Sequence, residues 1–179
     1  MAKIKLDGVE VNTAGELPQP GSLAPDFTLV KSDLTEATLE DFKGCKLILN
    51  IFPSVGTNVC AISVRRFNQM VSSLANVKVL CISQDLPFEH YRFCGSEEIR
   101  QVITLSNFRD GGNFALKYGV LLKDGLFKGL NARAIVTVDE NGKVIYTQLV
   151  DDIGNEPDYE AAIASLNHPD PALSLGTGD

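Results

Sequence analysis

One cysteine of this chain stands where a thiol has a chemical use. In "LILNIFPSVGTNVCAISVRRFNQMV", residues 47–71, an apolar run breaks at Pro53, a Gly-Thr-Asn turn follows, and Cys60 heads a segment of helical periodicity. A structural cysteine belongs inside the apolar run, whereas the backbone amides at a helix start lack partners and favour an anion. A free thiol has a pKa near ~8.5, so only about 3% is thiolate at pH 7, and the thiolate is the nucleophile. If Thr57 caps the helix, Cys60 is its third residue. Lowering a thiol pKa by ~2 units takes about 2.7 kcal/mol, and a helix end supplies ~0.3–1, or ~2 at most. A second positive group is therefore expected beside the sulfur.

The remaining candidates are fewer. Cysteines occur at 45, 60, 81 and 94 with no Cys-x-x-Cys, and the two histidines, His90 and His168, fit no zinc-ligand spacing. Cys81 lies inside the apolar "VKVLCIS" and reads as inert core. Cys45, in the polar "FKGCK", reads as an incidental surface thiol, and Cys94 follows Tyr91 and Phe93 in a short segment able to unwind. The pair Arg65-Arg66 reads as forming surface ion pairs, and His90, in a flexible-looking segment, is assigned no chemistry.

Elements must bring such residues together. "KIKLDGVEV" alternates about Asp7-Gly8 and predicts a β-hairpin over Lys3 to Val11. A short strand over Phe27 to Val30 and a helical turn at "TLEDF" precede a buried strand from Lys46 to Phe52. Apolar residues recurring every three or four positions predict a helix from Asn58 to about Ala75, and "NVKVLCIS" a parallel partner strand. A short helix or turn at "PFEHYRFC", a strand at "VITLS", a helix at "GNFALKYGV", a hairpin about Asn141-Gly142 and a last helix in "EPDYEAAIASLN" complete the order. The order β-hairpin, β, β, α, β, α, β, α, β, β, α is the connectivity of an α/β, thioredoxin-like sheet with an N-terminal β-hairpin. Residues 1–167 are expected to form a single domain, and 168–179, rich in Pro, Gly and Asp, a disordered tail.

Composition narrows the function. The chain has 179 residues, 44% hydrophobic and 22% charged, which describes a soluble globular protein. A net charge of −7 argues against nucleic acid and anionic lipid. No stretch approaches the ~20 apolar residues of a membrane helix, and the N-terminus lacks a secretory signal, so a cytoplasmic location is expected.

Pro53, Thr57 and Cys60 form Pro-x-x-x-Thr-x-x-Cys, which resembles the active-site motif of the peroxiredoxins. The blocks "LNIFPSVGTNVCAISVRRFN", "VLCISQDLPFEHYRFCG", "YGVLLKDGLFKGLNARAIVTVDENGKV" and "DIGNEPDYEAAI" are similar to one branch, the bacterial thiol peroxidases, across Lys3 to Leu166. That resemblance implies a peroxidase that reduces hydrogen peroxide and organic hydroperoxides without metal, haem or flavin. It places an active-site arginine in "NARAIV", at Arg133, as the second positive group. It further implies that Thr57, Arg133 and the Cys60 amide donate to the two peroxide oxygens, and that Pro53 shields the oxidised sulfur. Cys60 becomes a sulfenic acid, which Cys94 in "YRFCG" resolves as an intramolecular Cys60–Cys94 disulfide. Thioredoxin as reductant and a homodimer are implied as well. A protein disulfide oxidoreductase and a non-enzymatic peroxide sensor are the competing readings.

Overall fold

A computed structural model describes residues 1–167, and the expected tail at 168–179 lies outside them. Strands β1 (Lys3–Leu6) and β2 (Val9–Asn12) form the expected hairpin. Asp7 and Gly8 both take positive φ, 50° and 83°, the mirror-image turn whose twist suits a two-residue connection.

A seven-stranded sheet forms the centre. It contains β3 (Thr28–Lys31), β4 (Glu36–Thr38), β5 (Lys46–Ile51), β6 (Val77–Ser83), β7 (Ile103–Ser106), β8 (Ala134–Val138) and β9 (Val144–Leu149), in the order β4-β3-β7-β6-β5-β8-β9. The β5–β6 and β6–β7 pairings are parallel and the others antiparallel. Helix α1 (Asn58–Val71) joins the first parallel pair and α2 (Pro87–Ser96) the second; α3 (Asn113–Lys117) precedes β8 and α4 (Tyr159–Ser165) follows β9. The sheet is thus mixed about a parallel centre, with β6 in the middle and β5 beside it.

Alternation along β5 sorts the two cores. Leu47, Leu49 and Ile51 face one layer with Phe27, Phe114 and the hairpin's Ile4 and Val11. Ile48 faces the other, with Val64 and Phe67 of α1, Phe93 of α2 and Ala162 of α4. Cys60 belongs to this second layer, on the face of the sheet that α1, α2 and α4 cover.

Three details differ from the sequence reading. Helix α1 stops at Val71 rather than near Ala75, because the Ser72 and Ser73 hydroxyls donate back to the carbonyls of Gln69 and Met70. The segment at "PFEHYRFC" is a full helix through Ser96. Strand β4 went unpredicted; three residues are too few to show alternation, and its pairing with β3 fixes it instead.

Candidate active site

The site is built on the loop from β5 to α1. After Ile51 the chain passes buried Phe52 and Pro53 and turns through Ser54 to Thr57. Ser54 organises this turn: its carbonyl accepts from the Thr57 amide (3.1 Å) and the Thr57 hydroxyl (3.2 Å), and its hydroxyl accepts from the Gly56 amide (3.0 Å). Thr57 is the helix cap, with extended backbone, and its Oγ1 accepts from the amide of Cys60 at 3.4 Å. Cys60 is therefore the third residue of α1, as the sequence implied, and it is 0% exposed.

Arg133 supplies the positive group. It immediately precedes β8, which pairs with β5, and its Nη2 donates to Cys60 Sγ at 3.2 Å. Nε donates to the carbonyl of Ile153 at 2.9 Å, and Nη1 has no partner among the described residues. At 1% exposure this is the bulkiest fully buried side chain described. A buried cation is costly unless it is paired, so the arrangement is complementary to an anionic sulfur.

The support for Arg133 comes from the start of the chain. Ile153 donates its amide to the Lys5 carbonyl (2.9 Å), and Lys5 donates to the Asp151 carbonyl (2.8 Å). The Asp152 carboxylate accepts from the amides of Asp7 (3.2 Å), Gly8 (3.0 Å) and Gly154 (3.0 Å). These amide bonds hold its carboxyl below the usual range despite a small opposing effect of burial. The hairpin thereby fixes the carbonyl that orients the arginine.

Cys94 is on a different element and remains a free thiol, as do the other three cysteines. It lies near the C-terminal end of α2, partly buried against the same apolar layer as Cys60. Burial pushes its thiol pKa up, against a hydrogen bond with Thr104. Cys81 is fully buried, as expected of a core residue, and burial pushes its thiol pKa up to about 12 against a weaker opposing contact from Asn50. Cys45 is half-buried rather than a surface thiol; it packs on the other core layer and lines a hollow of about 260 Å³ with Leu23, Phe42 and Val138, remote from Arg133 in the fold. Among the described residues no cluster of three or more His, Cys, Asp or Glu could hold a metal ion.

Sequence reasoning missed a partly buried carboxylate behind the loop. Asp85, following β6, accepts from the Ser54 hydroxyl (2.6 Å), the Val55 amide (2.9 Å) and the Ser83 hydroxyl (2.6 Å). Burial alone would raise its pKa, but the neighbouring His90 imidazole, the two hydroxyls and the amide outweigh it and lower it to about 2. His90, expected in a flexible segment, is 0% exposed and bonded to Ser83 at 2.8 Å. A carboxylate just after a strand and two residues before a helix-starting proline was the one signal available.

The chain is similar to known proteins over most of its length. Residues 19–163 match the Redoxin family. The chain is 54% identical over 167 residues to the thiol peroxidase of Corynebacterium glutamicum, covering 93% of this chain and 100% of that one. It is 50% identical over 166 residues to the thiol peroxidase of Mycobacterium bovis, covering 93% and 99%. The crystal structure of a peroxiredoxin-like protein from Aquifex aeolicus, 35% identical, superposes with a TM-score of 0.86 over 92% of this chain and 95% of its own. With the expected α/β sheet, N-terminal hairpin and cysteine-bearing helix start all in place, the chain belongs to the redoxin family, among the peroxiredoxins of the thiol peroxidase type.

Proposed function

We propose that the chain is a thiol peroxidase that reduces hydrogen peroxide and alkyl hydroperoxides with Cys60 as nucleophile, Cys94 as resolving thiol and thioredoxin as electron donor. The observation that carries this reading is the 3.2 Å contact from Arg133 Nη2 to the sulfur of a cysteine in the first turn of a capped helix.

The Cys60 thiolate attacks one peroxide oxygen, the O–O bond breaks, and the pair of electrons leaves on the other oxygen. The sulfur becomes a sulfenic acid, and the leaving oxygen takes up a proton as water or alcohol. Charge builds on that oxygen in the transition state, so donors already aimed at it lower the barrier. Arg133 Nη1 is a buried N–H without a partner among the described residues. Thr57 stands differently from the sequence expectation of a donor: its proton goes to the Ser54 carbonyl and one lone pair to the Cys60 amide. Its remaining lone pair suits the O–H of a bound peroxide. At 3.4 Å the Cys60 amide bond is long and weak, which leaves that N–H able to share a peroxide oxygen. Buried Pro53 screens the sulfur from water.

The Cys94 thiolate then displaces hydroxide from the sulfenic acid, which leaves as water and closes a loop of 35 residues. Such a bond needs Cα atoms within about 7 Å, and the placement of a fully buried Cys60 on α1 and a half-buried Cys94 on α2 supports local unwinding around both during turnover. Exposed Leu86, Phe88 and Tyr91 on and beside α2 suit alkyl peroxides and an apolar partner surface, and support a homodimer about this face. Residues 1–167 act in this reading as one cytoplasmic peroxiredoxin domain; no described helix is long and apolar enough to cross a membrane.

Thioredoxin-coupled peroxide consumption by wild type, Cys60→Ser and Cys94→Ser tests the scheme. Both variants should lose coupled turnover, while Cys94→Ser still consumes one equivalent of peroxide. Activity surviving in Cys60→Ser would overturn the nucleophile, and undiminished turnover in Cys94→Ser the resolving thiol. Rapid insulin reduction with negligible peroxide turnover would point to a disulfide oxidoreductase.

A further inference from the structure

Asp85 touches neither sulfur, yet its bonds reach toward both. Its side chain is 11% exposed. One oxygen accepts from the Ser54 hydroxyl, and the other from the Val55 amide and the Ser83 hydroxyl, so it grips the loop that presents Thr57 and Cys60. Its own carbonyl accepts from the Ser106 hydroxyl at 2.5 Å, which anchors Asp85 to the end of β7. The loop is thus held from behind by a carboxylate that is fixed to the sheet.

The same carboxylate is connected to α2. Ser83 has a single hydroxyl proton, and the 2.6 Å bond to Asp85 takes it. The 2.8 Å bond between Ser83 and His90 is therefore donated by His90 Nε2–H, which makes the imidazole the Nε2–H tautomer. His90 Nε2 is 3.7 Å from Asp85 Oδ2, too far for a direct hydrogen bond, so the hydroxyl carries the link. His90 lies four residues before Cys94 on α2, one turn away on the same face. Its Nδ1 is buried without a partner, so Ser83 provides its single side-chain bond among the described residues.

We propose that Asp85 is a positioning residue for the peroxide-binding loop, and that the His90–Ser83 bond makes its hold on that loop depend on whether α2 is wound. With α2 helical, His90 directs the Ser83 proton at Asp85, and the carboxylate keeps Ser54 and Val55 in place. When α2 unwinds to deliver Cys94, His90 leaves, Ser83 is free to turn, and the loop carrying the oxidised sulfur slackens at the moment the sulfur must move. The inference rests on the reading of Cys60 and Cys94 as the reacting pair.

Rapid-quench alkylation with mass spectrometry on the intact chain reads the two steps separately: loss of the Cys60 thiol, then appearance of the Cys60–Cys94 disulfide. Displacing the loop by about 1 Å should slow Cys60 oxidation by ~10- to 100-fold in Asp85→Asn. Ser54→Ala, which removes one partner of the carboxylate, should slow the same step less. His90→Leu should raise the ratio of the disulfide rate to the oxidation rate several-fold, and His90→Gln, which keeps an N–H donor, should restore it toward wild type. Folded Asp85→Asn and Ser54→Ala with wild-type oxidation rates would overturn the positioning role. A ratio that does not differ between His90→Leu and His90→Gln would overturn the coupling. Cys60→Ser run alongside separates the two levels, because peroxide consumption in that variant would instead overturn the reacting pair.

Discussion

The two cysteine-bearing segments are held by different means. The start of α1 is fixed by buried, directed bonds: Thr57 caps it, Ser54 folds the turn, Asp85 grips that turn from behind, and Arg133 reaches the sulfur. Helix α2 offers solvent Phe88, 65% exposed, and Tyr91, 71% exposed, and its far end depends on surface contacts. Glu97 pairs with Arg65 of α1 at 2.7 Å, and Asn68 Oδ1 accepts the amides of Arg100 and Gln101. The helix ends with the Ile99 amide donating to the Cys94 carbonyl, a closure that needs a left-handed residue, and Glu98 fills that place at φ 56°. Glycine would do so without strain, whereas a residue with a Cβ costs roughly 1 kcal/mol there. On the proposed roles of Cys60 and Cys94, the half of the site that attacks is held by directed bonds and the half that resolves is held weakly.

Three measurements would break or sharpen that contrast. Arg133→Met keeps the volume of the buried side chain but removes every donor, and should lower the second-order rate of Cys60 oxidation by ~10²–10³-fold, as loss of one transition-state donor does elsewhere. A loss below tenfold would mean that the arginine is mainly structural.

The acid limb of stability tests the hold on the loop. Asp85 is depressed from 3.8 to about 2, so its contribution is fully present above pH 4 and disappears as pH falls toward 2. The difference in urea stability between wild type and Asp85→Asn should therefore shrink by on the order of 2 kcal/mol across that window. A difference that does not change with pH would show that the carboxylate's charge adds nothing.

The smallest effect belongs to the α2 end. Arg65 and Glu97 are 42% and 34% exposed, so Arg65→Ala should cost only ~0.2–1 kcal/mol of stability. It should nevertheless speed disulfide formation measurably, because the lost contact restrains unwinding alone. An unchanged disulfide rate would place the restraint elsewhere, at Asn68 or His90.

What could be read in advance follows the same division. Cys60 at a helix start, the Thr57 cap, the hairpin at Asp7-Gly8 and the βαβ order are local patterns, and residue type and spacing carry them. Arg133 beside the sulfur came only from resemblance, since no periodicity brings the residue before β8 to the start of α1. Asp85 and Ser54 are 31 positions apart, and the Ile153 carbonyl is 20 from Arg133, so these bonds exist only once the sheet has aligned the loops. The burial of His90, expected in a flexible segment, was hidden for a related reason: it depends on Ser83 of β6, seven positions earlier, lying beneath α2.

The hairpin's clamp on residues 151–154 also sets an order in time. The chain is made from its N-terminus, so Cys60 leaves the ribosome long before Arg133 and the Ile153 carbonyl that aims it. Until nearly the whole of the described chain is present, the thiol lacks its guanidinium, and the hairpin that will anchor Ile153 has nothing to hold. On the proposed role of Cys60, its fast reaction with peroxide therefore waits for the finished domain, in which Arg133 and Ile153 are in place.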